Sequence, residues 1–341
     1  MFTPLLEKLT RNRDLTTEEA AGAMKEIMEG RATPGQIAGF LVGLAMKGER
    51  PDEIVGLART MREHAVKLSR PYPEAFDLCG TGGDRSGTFN ISSVASIVVA
   101  SAGVMVAKHG NRSVSSRCGS ADLFDALGVK TSAAPEVVER CLSEAGLAFL
   151  FAPTFHPSMR HAAPVRRELG LRSAFNLLGP LTNPVGLARQ IVGVPRPEFT
   201  ELLARSLALL GSERAWVVHG ADGVDEISST GYTKVSECRE GTVNTFYVHP
   251  SEFGIPKATL ADLQGDDAAA NAAIARAVLS GERSPRRDIV LLNAGAALFV
   301  AGRTPDVRSG IALAGECIDT GRATELLGQV VALGGNESPV K

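Results

Sequence analysis

Two loops of the sequence bring together groups that proteins use to bind phosphate. In the first loop, Gly80-Thr81-Gly82-Gly83-Asp84, three glycines within four residues follow the strand-like segment FDLC. Glycine lets the backbone approach a ligand closely, and successive N–H groups can form a concave anion site beside the positive end of the helix predicted from Asn90. The loop is neither G-x-G-x-x-G nor G-x-x-x-x-G-K-[ST], so it predicts no dinucleotide or P-loop nucleotide site. A plain tight turn is equally consistent with this loop alone.

The second loop, Lys108 to Ser116, has the sequence KHGNRSVSS and follows the strand-like segment VMVA. It holds a lysine, an arginine, an asparagine and three hydroxyl groups, but no acid. Lys and Arg donate charge-assisted hydrogen bonds to phosphate oxygens. A solvated loop is the alternative interpretation, but two such loops on neighbouring strands favour an anion site.

A third loop supplies carboxylates. Asp225 and Glu226 end the segment HGADGVDE, which follows the strand-like segment AWVV. Adjacent carboxylates suit Mg²⁺, which shares its oxygen ligands with substrate phosphates and water. An Asp-Gly turn with solvated acids is the simpler explanation of this segment by itself, but the two phosphate-type loops favour a metal site. Asp266 and Asp267 are instead predicted to help start a helix.

Composition excludes several classes of protein. The 341 residues carry 36 basic and 38 acidic side chains, and the resulting net charge of −2 excludes a protein that coats nucleic acid by bulk charge. Aromatic residues make up only 5% of the chain, which disfavours single-strand binding on stacking platforms. Five cysteines without a C-x-x-C pair predict reduced thiols rather than a disulfide framework or a zinc site. The first ten residues lack a signal-peptide pattern, so we expect a cytoplasmic location.

The elements that must position these loops form two groups. Residues 1–70 carry three amphipathic helix patterns that begin at Thr or Pro, and no strand pattern. Strands then alternate with helices, which predicts an α/β fold with a central, mostly parallel sheet flanked by helices, followed by an antiparallel pair in TKVSEC and TVNTFYV. Such sheets bind ligands at the carboxyl ends of their strands. We predict a helical domain over 1–70, completed by about 157–185, and an α/β domain over 74–156 and 186–341.

Five motifs in order resemble the anthranilate phosphoribosyltransferase family of tryptophan biosynthesis: GTGGD, TFNIS, KHGNRSVSS with GSAD, HPSMRHAAPVRRELG with FNLLGPLTNP, and HGADGVDEIS. The resemblance implies a small helical domain and a larger α/β domain with the active site at the hinge between them. It implies that the amine of anthranilate displaces pyrophosphate from C1 of phosphoribosyl pyrophosphate. It also implies Mg²⁺ as cofactor, with two ions per active site, and a homodimer formed through the helical domain. Neither a nucleic acid nor a membrane is expected as a partner.

The resemblance also assigns roles to residues. Phosphoribosyl pyrophosphate would be bound by Gly80, Gly83, Asp84, Thr88, Asn90, Ile91, Ser92, Ser93, Lys108, His109, Gly110, Asn111, Arg112, Ser113, Val114, Ser115, Ser116 and Ser120. Anthranilate would contact Gly80, Asn111 and Arg166, with Arg166 facing its carboxylate. Mg²⁺ would be bound by Ser92, Asp225 and Glu226. Lys108, Asp225 and Glu226 would act electrostatically, and no residue is assigned as an acid or base.

Two positions depart from the family pattern. Arg85 stands where a small residue often follows GTGGD, and Cys118 stands where serine is common. Both lie beside the donors named above, so they bear on local loop detail.

Three other functions compete with this interpretation. A pyrimidine nucleoside phosphorylase would share the architecture, but KHGNRSVSS and the pair Asp225-Glu226 argue against it. A non-catalytic relative that binds nucleic acid would need an exposed basic face, which the net charge disfavours. A type I phosphoribosyltransferase should show two acids at the end of an apolar strand before a Thr-Gly-rich loop, and we find no such segment.

Overall fold

The computed structural model describes residues 2–113 and 117–335. Four helices pack together at the N-terminus: α1 (Phe2–Thr10), α2 (Thr17–Met28), α3 (Pro34–Lys47) and α4 (Pro51–Glu63). Thr16 and Thr33 cap α2 and α3, since their side chains accept from the N–H groups of Glu19 at 3.2 Å and of Gln36 at 3.3 Å. The capping pattern therefore predicted both helix starts correctly.

The prediction of three helices before residue 70 was wrong by one, because α1 is also present. The Thr3-Pro4 pair at the start of α1 was not used to predict a helix. The formation of α1 follows from burial of one face, formed by Phe2, Leu5 and Leu9. The ring of Phe2 meets that of Phe40 on α3 edge-to-face at 5.9 Å.

A seven-stranded sheet forms the centre of the remaining chain, with the order β3-β2-β1-β4-β5-β6-β7. The strands from β1 to β5 are parallel, and β6 and β7 are antiparallel, as predicted. Their bounds are β1 (Phe76–Gly80), β2 (Val106–Gly110), β3 (Leu147–Phe151), β4 (Arg189–Gly193), β5 (Arg214–Gly220), β6 (Thr233–Arg239) and β7 (Thr242–Val248). The predicted fold class is confirmed.

Helices cover the sheet on both faces. The largest apolar cluster places α5, α6 and the C-terminal helices against one face of the sheet. The helices after β1 are α5 (Ile91–Ser101), α6 (Ser120–Leu127), α7 (Pro135–Ala145), α8 (Ala152–Phe155), α9 (Ala163–Leu169), α10 (Ala174–Leu178), α11 (Glu198–Leu209), α12 (Ala268–Leu279), α13 (Pro285–Val300), α14 (Val307–Asp319) and α15 (Arg322–Gly335). Among the described residues, no helix has both the length and the apolar character needed to cross a bilayer.

A second apolar cluster joins the N-terminal helices to later parts of the chain. Val165 of α9 and Phe175 of α10 share this cluster with Ile54 of α4, and α11 contributes Leu203. Val192 and Val217 extend the cluster onto β4 and β5. The N-terminal helices therefore bury their apolar faces partly against α9 and α10 and partly against the α/β part.

Candidate active site

Parallel strands bring the three predicted loops to one edge of the sheet. Gly80 ends β1, Gly110 ends β2 and Gly220 ends β5. Since β1 pairs in parallel with both β2 and β4, and β4 with β5, their carboxyl ends face the same side. The candidate site lies at this edge, where the strand tips and the start of α5 meet.

The glycine-rich loop uses the conformational freedom of its glycines. Gly82 and Gly83 have φ values of 67° and 81°, in the left-handed region that favours glycine. Arg85 also adopts this conformation, at φ 58°, although it carries a full side chain. The first half of the loop is held by two bonds, because Thr81 N–H donates to the carbonyl of Gly193 at 2.9 Å and Gly82 N–H donates to the carboxylate of Asp225 at 3.1 Å.

Asp225 fits between two glycines on neighbouring strands. A Cβ on Gly80 would lie 2.3 Å from Oδ2 of Asp225, and a Cβ on Gly193 would lie 1.6 Å from its backbone oxygen. Neither distance is possible for non-bonded atoms, so any side chain at either position would displace Asp225. Gly80 therefore has a steric role beside a carboxylate, in addition to the ligand contact predicted for it.

Glu226 lies against the start of α5. Its Oε1 accepts from the backbone N–H of Ser92 at 3.0 Å, in the first turn of the helix. A carboxylate is favoured there because the helix dipole is positive at its N-terminus. The structure thus brings Glu226 and Ser92, two of the three predicted metal ligands, into contact, and Asp225 is the adjacent residue.

The charged form of both carboxyls is disfavoured in this site. Burial raises the pKa of Asp225 to about 7, and the negative charge of Asp84 contributes, while Gly82 N–H and the Arg172 guanidinium partly offset the rise. Burial and the neighbouring Asp225 raise the pKa of Glu226 to about 8, partly offset by Lys108. A pair of buried acids with these pKa values would be stabilised in the charged form by a nearby cation.

The residues present fit Mg²⁺ only in part. Among residues 2–113 and 117–335, no group of three or more His, Cys, Asp or Glu side chains could form a complete metal cage. Asp225, Glu226 and Ser92 supply hard oxygen atoms, which Mg²⁺ prefers, and Mg²⁺ commonly completes its shell with substrate phosphates and water. The donor set therefore fits a cation that is shared with a phosphate-bearing substrate.

Lys108 is buried, at 2% exposure, on β2. Its Nζ donates to the carbonyl of Leu78 on β1 at 2.5 Å. Its charge lowers the pKa of two carboxyls that burial raises, those of Asp77 and Glu226. Lys108 therefore lies between two buried acids and has further N–H donors that a phosphate could accept.

His109 is buried beside the cleft and is not exposed on an open loop. Its backbone N–H donates to Asp77 at 3.3 Å, and its Nδ1 pairs with the carbonyl of Gly179 at 3.1 Å. Its ring centroid lies 5.2 Å from that of His156, which follows β3. Burial lowers the pKa of His109 to about 4 and of His156 to about 3, so both rings are neutral near pH 7.

Arg112 is paired rather than free. Its guanidinium bonds Asp122 at 2.8 Å and Asp125 at 2.6 Å, both on α6. The sequence argument counted acids only within the loop and so missed these partners, which follow 10 and 13 residues later. A phosphate at Arg112 would compete with two carboxylates.

The remaining residues of this loop are held locally. Asn111 accepts from the N–H of Arg112 at 2.8 Å, Ser113 N–H donates to Asp122 at 3.2 Å, and Ser120 donates to the Asn111 carbonyl at 3.4 Å. The predicted ligands Val114, Ser115 and Ser116 lie outside the described residues.

The residues that lead into α5 differ in what they expose. Ile91 and Ser93 have only 1% exposure, so their side chains belong to the core. Asn90 is fixed, since its Nδ2 donates to the Cys118 carbonyl at 3.1 Å and its Oδ1 accepts from Asn271 at 3.0 Å.

Ser86, which precedes α5, contacts the side chains of Asp84 and Thr88 through its hydroxyl. Ser86 donates to Asp84 at 2.5 Å, and its hydroxyl lies 3.1 Å from that of Thr88. These contacts order the stretch between the glycine-rich loop and α5.

Arg166 lies on α9 with its guanidinium 5.1 Å from the centre of the Phe175 ring. Burial lowers the pKa of this guanidinium, and no described carboxylate offsets the effect. An anionic ligand would supply the missing charge. Its neighbour Arg167 is exposed, whereas Arg166 is partly buried.

Sequence reasoning missed several residues around the cleft. Arg172, between α9 and α10, donates from both terminal nitrogens to the Gly82 carbonyl, each at 3.0 Å. A Cβ on Gly83 would lie 1.8 Å from this guanidinium. The available signal was its place six residues after Arg166, between the segments HPSMRHAAPVRRELG and FNLLGPLTNP. Asn271 and His156 carried no local signal, because their partners come from distant segments.

Of the two acids that were predicted to help start a helix, only Asp267 does so. Asp267 caps α12 by accepting from the N–H of Ala270 at 2.9 Å. Asp266 instead pairs with Arg117 at 2.5 Å.

Comparison with known proteins gives consistent results. The α/β domain model of a glycosyl transferase family matches residues 72–324, and the helical bundle domain model of the same family matches residues 3–65. The chain is 54% identical to the anthranilate phosphoribosyltransferase of Moorella thermoacetica over 97% of its own length and 98% of that protein. It is 52% identical to the corresponding enzyme of Symbiobacterium thermophilum over 95% of each chain.

Solved structures agree with these sequence matches. The anthranilate phosphoribosyltransferase of Thermus thermophilus superimposes with a TM-score of 0.91 at 46% identity, covering 96% of this chain and 98% of that one. The Saccharomyces cerevisiae enzyme in complex with PRPP and Mg superimposes with a TM-score of 0.88 at 28% identity, covering 97% of each chain.

Proposed function

Because the chain belongs to the glycosyl transferase family, among its anthranilate phosphoribosyltransferases, we infer its activity from that membership and from the cleft. It transfers the phosphoribosyl group of 5-phospho-α-D-ribose 1-diphosphate to the amino group of anthranilate. The products are N-(5-phosphoribosyl)anthranilate and pyrophosphate, in the second step of tryptophan biosynthesis from chorismate. The observation that carries this is the contact of the glycine-rich loop with Asp225, which joins the phosphate-type loop to the carboxylate loop at one strand edge.

The sugar diphosphate is proposed to bind along the strand tips of β1 and β2 and at the start of α5. In the loop from Gly80 to Asp84, the backbone N–H groups of Gly83 and Asp84 would meet the diphosphate, as would the further N–H donors of Lys108. Ser92, whose N–H and hydroxyl bond Glu226, would meet it at the shared cation. For Ile91 and Ser93, burial of the side chains leaves only backbone contacts. The residues from His109 to Ser113 and Ser120 would lie along the same substrate, with Arg112 exchanging an acid partner for a phosphate.

Mg²⁺ is proposed to be held by Ser92, Asp225 and Glu226, together with substrate oxygens, as two ions per site. When bound, it neutralises charge on the diphosphate leaving group. The contact of Glu226 with Ser92 N–H and the adjacent position of Asp225 support this, and a cation would offset the rise in pKa that burial causes in both acids. The Saccharomyces cerevisiae relative has been solved with Mg, which supports the choice of metal.

Anthranilate is proposed to bind with its carboxylate toward Arg166, beside Asn111 and Gly80. The buried guanidinium without a described acid partner supports this role. The Saccharomyces cerevisiae relative solved with 4-fluoroanthranilate supports an aromatic amine as the second substrate.

The chemistry requires positioning and electrostatic stabilisation more than proton transfer. The C1–O bond to pyrophosphate breaks as the C1–N bond forms, and the nitrogen then loses a proton. The amine of anthranilate is neutral near pH 7, so no strong base is needed to activate it. Lys108 and the backbone donors of the glycine-rich loop would stabilise the negative charge that develops on pyrophosphate. Burial of the cleft would keep water from the reacting carbon.

Three further features remain proposals. We propose the division into a helical domain over 1–70 with about 157–185 and an α/β domain over 74–156 and 186–341, supported by the packing of α9 and α10 on α3 and α4. A homodimer through the helical domain is supported by Met46 of α3, which is 83% exposed. A cytoplasmic location is supported by five buried cysteine thiols.

The test is the loss of anthranilate fluorescence with purified protein. We expect consumption only when phosphoribosyl pyrophosphate and Mg²⁺ are both present, with release of one pyrophosphate per anthranilate. Phosphorolysis of a pyrimidine nucleoside serves as the comparison reaction. Nucleoside cleavage without anthranilate consumption would overturn the assignment.

A further inference from the structure

A buried side-chain amide on α13 forms hydrogen bonds to the backbone next to the carboxylate pair Asp225-Glu226. Asn293 has 0% exposure. Its Oδ1 accepts from the N–H of Ile227 at 3.0 Å, and its Nδ2 donates to the carbonyl of Ile227 at 2.9 Å and to that of Ile289 at 3.0 Å. The side chain thus pairs with both polar groups of one residue, and its third bond fixes it to its own helix.

Ile227, the residue that Asn293 bonds, directly follows Glu226. The other side of the same loop is held by Asp222, which accepts from the hydroxyls of Ser228 at 2.7 Å and Thr230 at 2.5 Å. The Asp225-Glu226 pair therefore lies within a loop whose backbone is bonded to a helix on one side and to its own hydroxyls on the other. Small shifts of this backbone would move both carboxylates together.

The same helix also packs against the element that carries Ser92. α13 lies against α5, and their buried residues belong to one apolar cluster. A single helix therefore sets the position of Ile227 and supports α5, whose Ser92 N–H meets Glu226. Such support from a rigid element is what a precise ligand geometry needs.

We propose that Asn293 is a positioning residue for the divalent cation, acting through Ile227 to hold Asp225 and Glu226 at the spacing that the cation and the substrate diphosphate require. This inference rests on the proposed metal site. Asn293 itself touches neither substrate nor metal.

The test uses Asn293→Leu, which keeps a similar volume but removes all three bonds of the amide. Mn²⁺ is the probe, and its binding is measured by electron paramagnetic resonance in the presence of phosphoribosyl pyrophosphate without anthranilate, so no turnover occurs. We expect at least tenfold weaker Mn²⁺ binding and faster hydrogen exchange in the peptide that contains Ile227. In the assay, the Mg²⁺ concentration for half-maximal rate should rise while the anthranilate KM stays within twofold.

Arg287→Met is the matched control. Arg287 is also buried on α13, but it pairs with Asp319 at 2.6 Å and not with the carboxylate loop. This control should lower Tm without changing Mn²⁺ binding. A second variant, Asn293→Ser, keeps a hydroxyl that can bond the Ile289 carbonyl within the helix and is used if the leucine variant does not fold.

The outcomes separate the two hypotheses. A folded Asn293 variant that binds Mn²⁺ as tightly as the wild type overturns the positioning role. Equal weakening in the Asn293 variants and in Arg287→Met also overturns it, because the effect would then come from general loss of α13 packing. If the wild type itself binds no Mn²⁺ with phosphoribosyl pyrophosphate, the proposed metal site fails first, and the positioning role fails with it.

Discussion

At the scale of single residues, the cleft is defined by charged groups that form no ion pair among the described residues. Glu226 is a buried acid and Asp225 a partly buried one, both with raised pKa values, and Arg166 is a partly buried cation whose pKa burial lowers. Each is costly to bury alone, because burial penalises the charged form. Their arrangement is explained if ligands supply the complementary charges, and this gives two predictions.

The first concerns stability and pH. A carboxyl whose pKa is raised on folding favours the folded protein at low pH. This contribution is lost as the pH increases from the unfolded pKa, near 4, through the folded pKa, about 7 for Asp225. Asp225→Asn should therefore stabilise the metal-free protein at pH 8 by up to about 4 kcal/mol and have little effect at pH 4. Urea unfolding at both pH values in the presence of a chelator measures this.

The same substitution should lower turnover far more than it weakens anthranilate binding, because Asp225 is placed near the diphosphate. The pH 4 measurement is the internal control. A stability gain that is equal at both pH values would contradict the charge explanation, and unchanged turnover would contradict the role of the carboxylate.

The second residue-scale prediction concerns Arg166→Ala. We expect the anthranilate KM to rise by about tenfold or more with a smaller change in kcat, because a charge-assisted hydrogen bond to the carboxylate is lost. Steady-state kinetics at saturating phosphoribosyl pyrophosphate measures this. Arg167→Ala is the matched control, since Arg167 is the exposed neighbour on the same helix. Equal effects in the two variants would remove Arg166 from the anthranilate site.

At the scale of elements, the cleft depends on contacts between segments that belong to different packing groups. α9 and α10 pack with the N-terminal helices, yet Arg172 between them bonds the carbonyl of Gly82 in the glycine-rich loop. The guanidinium also occupies the space beside Gly83, where any side chain would collide with it. The α9–α10 segment, where we propose that anthranilate binds, is thus bonded to the glycine-rich loop, where we propose that the diphosphate binds.

This link predicts the behaviour of Arg172→Ala. The substitution frees the Gly82 carbonyl and removes a positive charge that lowers the pKa of Asp225, so the glycine-rich loop loses a restraint. We expect the KM for phosphoribosyl pyrophosphate to rise about threefold to tenfold. Arg172→Lys keeps the charge but not the forked pair of donors, so the KM of this variant should lie between those of the wild type and the alanine variant. An alanine variant with wild-type KM would show that the contact does not position the loop.

At the scale of the whole molecule, substrate binding should join parts of the chain that are far apart in sequence. The strand tips, the start of α5 and the α9–α10 segment all face the cleft, and the carboxylate loop is bonded to α13. A ligand that binds only the folded state stabilises the molecule by an amount that grows with the logarithm of the ligand concentration over Kd, about 2.7 kcal/mol at a hundredfold excess.

This gives a prediction about Tm. Phosphoribosyl pyrophosphate with Mg²⁺ should raise Tm by about 5 °C or more, and phosphoribosyl pyrophosphate with a chelator should raise it much less. The reason is that the buried carboxylates Asp225 and Glu226 repel the diphosphate unless a cation lies between them. Differential scanning fluorimetry measures the shift, with ribose 5-phosphate and Mg²⁺ as the control that lacks the diphosphate. Equal shifts with and without metal would contradict a shared metal site.

The sequence by itself determined the elements and the loops that follow them, because those signals are local. The caps at Thr16 and Thr33, the helix start at Asp267 and the alternation of strands and helices all depend on residues within a few positions of one another. The glycines after β1 and the acids after β5 were identified in the same way, and parallel strands predict that their ends meet at one edge.

Only the tertiary structure decided what those residues touch. Gly82 and Asp225 are 143 residues apart, and Ser92 and Glu226 are 134 apart. Four further contacts could not be predicted from the local sequence pattern. They are the pairing of Arg112 with α6, the burial of His109 against His156, the contact of Arg172 with the glycine-rich loop, and the hydrogen bonds of Asn293 to Ile227. Such contacts depend on how the strands and helices pack, which brings distant residues to one place and also decides which charges remain unpaired there.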